Sequence, residues 1–525
     1  MRPRILLLTP PLVQTNTPYP ATMHLTGFLR ERGHDVFQRD LGIKVARDVL
    51  REYGGDEADQ LLELLQGDLP PEDKLEASAI IDELALWIRD NVDASFGFSR
   101  YAERISAQAS DFGEIERLVR RRGALDRPLE RRLEEAIRET DPTVIGVTCP
   151  FPGTLVPAFK IARYVRRHHP EIRLALGGGF VSTELREMTD PRPRRYFDDF
   201  LFDEGYAPVL ALLGDAADAA VPAFVRPCYD GIDWSEYFDV VETENPMHRL
   251  WSVGRWRKLQ MARGCYWHRC AFCDVVLPYI NCFEQPPAAQ IVDAMEALGA
   301  SAGSNAGFHF VDEAMPPALV GRVSREILRR GLKVAWWGNV RFDTSFTPEL
   351  CRLMARAGCI AVTGGLECAD DRLLKLMVKG ITRASAKKAL RAFHRAGIMV
   401  HAYLMYGFPT ETAEEAYGAL EFVRGLFRDG LVQSAFWHRF ALTVHSPIAR
   451  DPARFGIEIL PPPKTKRLFC RNEIPYREPR APDWDAIGPV LDLALYNFQE
   501  GRGLDKTAAD WQRLARRRRR AKDLV

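Results

Sequence analysis

Short apolar runs recur along this chain, each followed by a longer stretch in which apolar residues return every three or four positions. A strand covered on both faces is apolar throughout, and a helix covered on one face is apolar at a period near 3.6, so the pattern predicts alternating strands and helices. Arg4 to Thr9 is the first such strand. Ala21 to Arg32 follows with Met23, Leu25, Phe28 and Leu29 on one helical face and stops at Gly33, where a left-handed cap is easy. Asp35 to Asp40 gives a second strand. From about Ile43 to Thr140 the pattern becomes long, charged and helical, with Leu61, Leu62, Leu64 and Leu65 and later Leu118, Leu129 and Leu133, which predicts a helical insertion. Alternation resumes with Thr143 to Thr148, a helix near Val156 to Arg167, Arg173 to Gly179, Asp199 to Gly205 and a helix from Ala207 to Leu213. The expectation for residues 1–215 is therefore an α/β, doubly wound, Rossmann-like sheet carrying an insertion at about 43–140.

Residues 216–256 are rich in Pro, Asp and aromatics and read as a linker. A second series then begins with a strand before Cys265 and continues through Gly307 to Asp312, Lys333 to Trp337, Ile360 to Thr363, Met399 to Leu404 and Val432 to Trp437. Six strands with right-handed crossovers predict a partial (β/α)6, TIM-like barrel over 257–445, with its chemistry at the carboxyl ends of the strands. A small helical C-terminal region, 446–525, remains.

Length changes the picture little: 525 residues exceed the roughly 250 to 300 that one core supports, which agrees with several domains. A composition of 46% hydrophobic and 27% charged residues excludes the disordered and fibrous classes. The net charge of +1 supplies no bulk field for nucleic acid or an anionic membrane, so neither is expected as a partner. The basic stretch from Arg513 to Lys522 reads as a frayed terminus. No apolar run reaches the roughly 18 residues that span a bilayer, and Met1 to Thr9 lacks a signal peptide's length and cleavage site. A cytoplasmic location is expected, where ten cysteines do not form a disulfide framework.

Three of those cysteines crowd one loop. Arg263 to Asp274 places Cys265, Cys270 and Cys273 at C-x4-C-x2-C, whereas unliganded cysteines disperse in cores. Soft thiolates at this spacing suit an iron–sulfur cluster or zinc. Zinc would take a fourth ligand, for which His268 is in the loop. A plant-type ferredoxin cluster would take a distant fourth cysteine, for which Cys282, Cys351 and Cys359 are available, but a ferredoxin is small and this loop opens a long strand and helix series.

The loop from Gly264 to Asp274, including Phe272 between the last two cysteines, resembles that of the radical S-adenosylmethionine (SAM) superfamily. The first two cysteines are one residue farther apart than in the usual C-x3-C-x2-C, a spacing similar to that of a cobalamin-associated branch. The resemblance implies a 4Fe-4S cluster held by Cys265, Cys270 and Cys273, with one iron left open for the amino and carboxylate groups of SAM and a 5'-deoxyadenosyl radical as the outcome. It further implies that Glu313, in Val311 to Glu313 where the superfamily has Gly-Gly-Glu, together with Arg341 and Glu367, holds the polar groups of SAM, and that Gly407 to Pro409 shapes the adenine pocket, with Glu411 and Thr412 beyond. No residue presents itself as a catalytic acid or base.

The first domain lacks G-x-G-x-x-G after its first strand. It resembles instead the cobalamin domain that precedes many radical SAM barrels, through Pro10 and Pro11, Leu29 to Val36, Gly146 to Pro150, the run Gly177, Gly178 and Gly179, and Phe202 to Gly205. The resemblance implies cobalamin held by those glycines and by Gly205. No Asp-x-His-x-x-Gly occurs, so cobalt is expected to lack a histidine ligand; His24 and His34 are nearby, and a lone histidine reads as a surface residue. Taken together, these features imply cobalamin-dependent methylation of an unactivated carbon in a small molecule or peptide, with an electron donor such as flavodoxin or ferredoxin. Cyclisation, ring contraction or oxidation on the same cofactors, and an iron–sulfur electron-transfer or binding protein without catalysis, are the alternatives.

Overall fold

A computed structural model describes residues 3–67, 70–98, 101–215, 221–300, 306–461 and 468–522. Eleven of its strands build two parallel sheets: β1 (Arg4–Thr9), β2 (Asp35–Asp40), β3 (Val144–Thr148), β4 (Arg173–Gly177) and β5 (Asp199–Leu201), then β6 (Arg257–Leu259), β7 (Ala306–Phe310), β8 (Val334–Val340), β9 (Cys359–Glu367), β10 (Met399–Tyr406) and β11 (Ser434–Arg439). The fold class is the expected α/β one. Among the described residues no helix is long and apolar enough to cross a membrane.

In the first sheet the order is β2-β1-β3-β4-β5, all parallel. From β1 the chain steps outward to β2 and then returns to the other side of β1, so the strand order reverses between β1 and β3; open α/β sheets bind ligands beyond the carboxyl ends at such a point. The helical insertion is no separate body. It starts directly after β2, where Asp40 caps helix Leu41–Gly54 by accepting from the Gly42 and Ile43 amides at 2.9 and 3.3 Å. Its Phe112, Leu129, Leu133 and Ile137 share one core with Leu6 and Leu8 of β1.

Two other expectations need correcting. The segment expected as a linker packs into this core from Tyr237 and Phe238, which are fully buried, and Asp239 beside them pairs with Lys74 at 2.6 Å, both side chains buried. Its residues 216–220 lie outside the described residues. Likewise, 468–472 of the region expected to be C-terminal belongs to the first unit, where Phe469 lies 4.9 Å from the Phe112 ring. Large aromatics drive both departures, because burying one ring is worth about 2 kcal/mol or more.

In the second sheet β7 to β11 lie side by side in chain order, all parallel. Consecutive order with crossovers of one hand puts every connecting helix on one face and leaves the other concave. Period-two alternation shows the split: Trp336, Val400, Ala402, Leu404, Ala435 and Trp437 are buried, while Tyr403, Phe436 and His438 on the opposite face are exposed. The basic C-terminal stretch is helical, Ala508–Lys522, rather than frayed; its side chains beyond Arg517 lie outside the described residues.

Candidate functional site

The cysteine loop is fixed at its entry, its turn and its exit. On the way in, the Met261 and Ala262 amides donate to the carboxylate of Asp312, at 2.9 and 2.7 Å, and burial pushes that carboxyl up to about 7. Asp312 is thus a backbone clamp. Gly264 sits at φ +70°, where an added Cβ would fall 1.7 Å from the Cys282 carbonyl oxygen, so a side chain is excluded there. At the turn, the Trp267 indole donates to the Val378 carbonyl at 2.9 Å and lies on Gly380, whose absent Cβ would strike the ring at 2.2 Å. On the way out, the Ala271 amide donates to the Met377 carbonyl at 2.8 Å.

A chain of buried charges faces the loop. Arg341, just past β8, donates to the Lys379 carbonyl, lies 3.9 Å from the Cys270 sulfur and covers the Trp267 ring at 4.5 Å. Lys379 reaches across the Phe272 ring and pairs with Glu367 at 2.6 Å. Glu367 ends β9 at a bulge with φ +59°, and a Cβ at Gly365 beside it would lie 1.9 Å from the Glu367 carboxylate and push on the ion pair. The hydrogen bond from Cys273, and then the charges of Lys379 and Arg341, hold the Cys270 thiol below its ordinary value. Cationic surroundings of this kind favour thiolates.

These residues fit an iron–sulfur cluster. Three thiols converge in one loop, and two buried cations stand ready to offset the negative charge of a thiolate-bound cluster. Among the described residues no three of His, Cys, Asp and Glu are spaced to hold a single metal ion; a cubane takes one thiolate on each of three irons, which stand farther apart. His268, the ligand a zinc site would use, has its Nδ1 on the Cys265 carbonyl at 2.9 Å. Cys351 and Cys359 are buried with their sulfurs toward the Phe346 and Ala361 carbonyls, and Cys282 lies behind Gly264 with its sulfur 3.2 Å from the Tyr279 carbonyl oxygen.

The structure joins Arg341 and Glu367 to Cys270 in one network, whereas Glu313, Gly407 and Pro409 stand outside it. Glu313 is solvent-accessible yet closely surrounded, as on a concave wall, and this raises its pKa. Gly407, at φ +78°, and Phe408 both donate their amides to Glu411, at 2.7 and 3.1 Å, and burial pushes Glu411 up to about 8. Glu411 therefore sets the shape of the Gly407 to Pro409 turn. Neither this role nor Lys379 was visible in the sequence.

In the first unit, Gly178 sits at φ +112° with the Cys149 carbonyl oxygen 2.6 Å from where a Cβ would be, so the protein's own backbone demands it. Gly177 accepts the Cys149 amide, Gly179 opens helix Gly179–Glu184, and Gly205, at φ +80°, precedes helix Tyr206–Leu213. His24 is buried rather than on the surface, and burial lowers it to about 4. His34 pairs with Asp215 at 2.7 Å. Thr148, ending β3, is buried with its hydroxyl unpartnered within the protein.

Comparison with known proteins bears on both units. Residues 259–423 match the radical SAM superfamily. The structure of the radical SAM methyltransferase TsrM from Kitasatospora setae, with cobalamin and a 4Fe-4S cluster bound, is similar at a TM-score of 0.56 and 17% identity over 95% of this chain and 89% of that one. An uncharacterized methyltransferase of Pyrococcus horikoshii is 22% identical over 56% of this chain and 66% of its own. The anaerobic magnesium-protoporphyrin IX monomethyl ester cyclase of Cereibacter sphaeroides is 26% identical over 54% of this chain and 49% of its own. This chain thus spans about half to two thirds of these curated relatives. It carries a radical SAM domain, which implies a 4Fe-4S cluster and SAM, and it has the fold of a cobalamin-binding radical SAM methyltransferase.

Proposed function

We propose that this radical SAM enzyme methylates an unactivated carbon with the help of cobalamin. The observation that carries the reading is the three-cysteine loop held against Arg341, Lys379 and Glu367 at the carboxyl ends of the second sheet. Cys265, Cys270 and Cys273 would hold the 4Fe-4S cluster, which supplies the electron that cleaves SAM to a 5'-deoxyadenosyl radical. Arg341, Glu367 and Glu313 would position the polar groups of SAM, and the turn set by Glu411 would receive its adenine. In this scheme Lys379 neutralises Glu367 and steadies the thiolates, while Trp267 and Phe272 keep water from the loop's inner side.

Cobalamin would meet the first sheet at its switch point. The unpartnered Thr148 hydroxyl at the end of β3 offers a hydrogen bond there, and Gly177, Gly178, Gly179 and Gly205 end or follow the neighbouring strands β4 and β5 at the same edge without side chains. A reducing compartment suits this chemistry, and we place the protein in the cytoplasm, fed by a donor such as flavodoxin or ferredoxin and acting on a small molecule or peptide. The cyclase relative supports a second reading, another radical outcome on the same cofactors.

Anaerobic reconstitution with iron, sulfide and cobalamin, followed by assay for 5'-deoxyadenosine, S-adenosylhomocysteine and substrate mass, tests the proposal. A gain of one methyl group is the expected result; deoxyadenosine without methyl gain transfers the case to the second reading, and no SAM cleavage defeats both.

A further inference from the structure

The concave face of the second sheet carries a feature that neither the cluster nor SAM requires. Register places Gly365 of β9, Tyr403 of β10 and Phe436 of β11 side by side in one row. Parallel sheets normally have both faces covered, yet Tyr403 on an inner strand and Phe436 on the adjoining edge strand are 37% and 54% exposed. Open aromatic surface on a concave wall marks a ligand site rather than a folding need. His438, one row nearer the carboxyl ends, lies 4.5 Å from the Phe436 ring and 6.3 Å from the Tyr403 ring, tilted at 59° and 41°, and His401 meets the Tyr403 ring edge-on at 4.8 Å, contacts that still leave both aromatic rings partly exposed. His309 and Trp337 on the same face differ, already stacked at 3.5 Å and 8°.

The two aromatic positions of the row carry no charge themselves. Thr363, His401 and Ser434 form the row behind it, and the His401 imidazole is bonded to the Ser434 hydroxyl at 2.7 Å. Burial lowers the His401 imidazole to about 3, and partial desolvation lowers that of His438 from its ordinary value. The cations and anions beyond are engaged: Lys379 with Glu367, Arg341 with the Lys379 carbonyl, and Arg439 with Asp485 at 2.7 Å. The Lys379–Glu367 pair adjoins Gly365, and its two charges already offset one another, so a charged ligand would find no free counter-charge there.

We infer that the substrate presents a flat, uncharged aromatic or heteroaromatic ring, bound against Tyr403, Phe436 and His438. The inference deepens the proposed function and rests on it for the presence of a substrate at this face. Face-to-face or edge contact with two open rings favours flat over saturated ligands.

The test uses the full chain with its cluster reconstituted and three probes of one size: 2-naphthamide, its decahydro analogue and 2-naphthoate, each titrated by saturation-transfer NMR. Expected is a preference of about tenfold for 2-naphthamide over both others, the worth of two ring contacts. Tyr403→Leu and Phe436→Leu should each weaken it several-fold, Tyr403→Phe should keep it, and Tyr496→Leu, exposed on helix Trp484–Gln499, should leave it unchanged. Equal binding of the flat and saturated probes, preference for the anion, or indifference to Tyr403→Leu and Phe436→Leu together overturns the inference. Deoxyadenosine formation by the wild-type protein, measured on the same preparation, keeps the two readings apart: its loss with ring preference intact strikes the radical chemistry alone, and the converse strikes this inference alone.

Discussion

The carboxyl edges of the two parallel sheets solve opposite problems. Along the second, side chains do the holding: Asp312, Arg341, Glu367, Lys379 and Glu411 are all buried and hydrogen-bonded around the cysteine loop or the turn after β10. His268, Glu367, Ala369, Val378 and Thr410 adopt positive φ there without being glycine. Such backbone persists only where its surroundings over-determine it. Along the first edge glycines predominate instead, Gly177 to Gly179 and Gly205 with the uncharged Thr148, beside a partly exposed pair of Arg186 with Asp203. A small charged group calls for placed charges; a bulky, largely neutral one calls for room.

Replacing the cysteines puts this contrast under the greatest strain. Cys265→Ala, Cys270→Ala or Cys273→Ala should lower both bound iron and deoxyadenosine formation by more than about 100-fold, beyond what loss of an outer hydrogen bond costs a metal site. Cys228→Ala and Cys470→Ala should change neither, and equal behaviour of all five would falsify the assignment. Next in size is Lys379→Met, which strands the buried Glu367 carboxylate and should cost about 3 kcal/mol of stability in urea unfolding. Adding Glu367→Gln should restore most of that loss; if it does not, the pair is not what steadies this edge.

At the first edge a backbone change is the sharper probe. Gly178→Ala must both hold φ +112° and meet the Cys149 backbone, and should cost about 2 kcal/mol, whereas Gly214→Ala, at φ +81° with nothing within 4 Å, should cost about 1 kcal/mol. Cobalamin titration followed by absorbance should weaken only for the former. The smallest effect concerns pH. Burial raises Glu411 from 4.5 to about 8, so the folded protein holds this proton more tightly than the unfolded chain. Its contribution is complete below about pH 4 and is lost as pH climbs toward 8, a decline on the order of 1 kcal/mol or more. Glu411→Gln, which keeps an acceptor for the Gly407 and Phe408 amides, should flatten the unfolding midpoint across that window.

The strands were the most legible part of the fold. Arg4–Thr9 falls where its apolar run places it, because a doubly covered strand leaves few other readings, and the edge strand Asp35–Asp40 falls where expected although only Val36 and Phe37 are apolar in it. Later strands start where expected but run on: β8 extends to Val340 and β10 to Tyr406. There the alternation toward a concave, polar face hides the strand ends from hydrophobicity alone. Tyr237, Phe238 and Phe469 were misplaced since a core assembled from distant segments leaves no local period. Within the site, the cysteine spacing was readable and the ion pair of Lys379 with Glu367 was not, because a lysine before a glycine looks like any exposed turn until tertiary packing buries it. His24 shows the same limit from the other side, a lone polar residue that burial claims.

The return of residues 468–472 to the first unit bears on how the molecule is made. Phe469 fills a position between Phe112 and Phe159, so a nascent chain that has emerged only as far as the second sheet still lacks a piece of its N-terminal core. Synthesis from the amino end cannot finish the first unit first. That unit waits, with greasy surface showing, until Phe469 has left the ribosome, and a chaperone that shields this gap would act late rather than early.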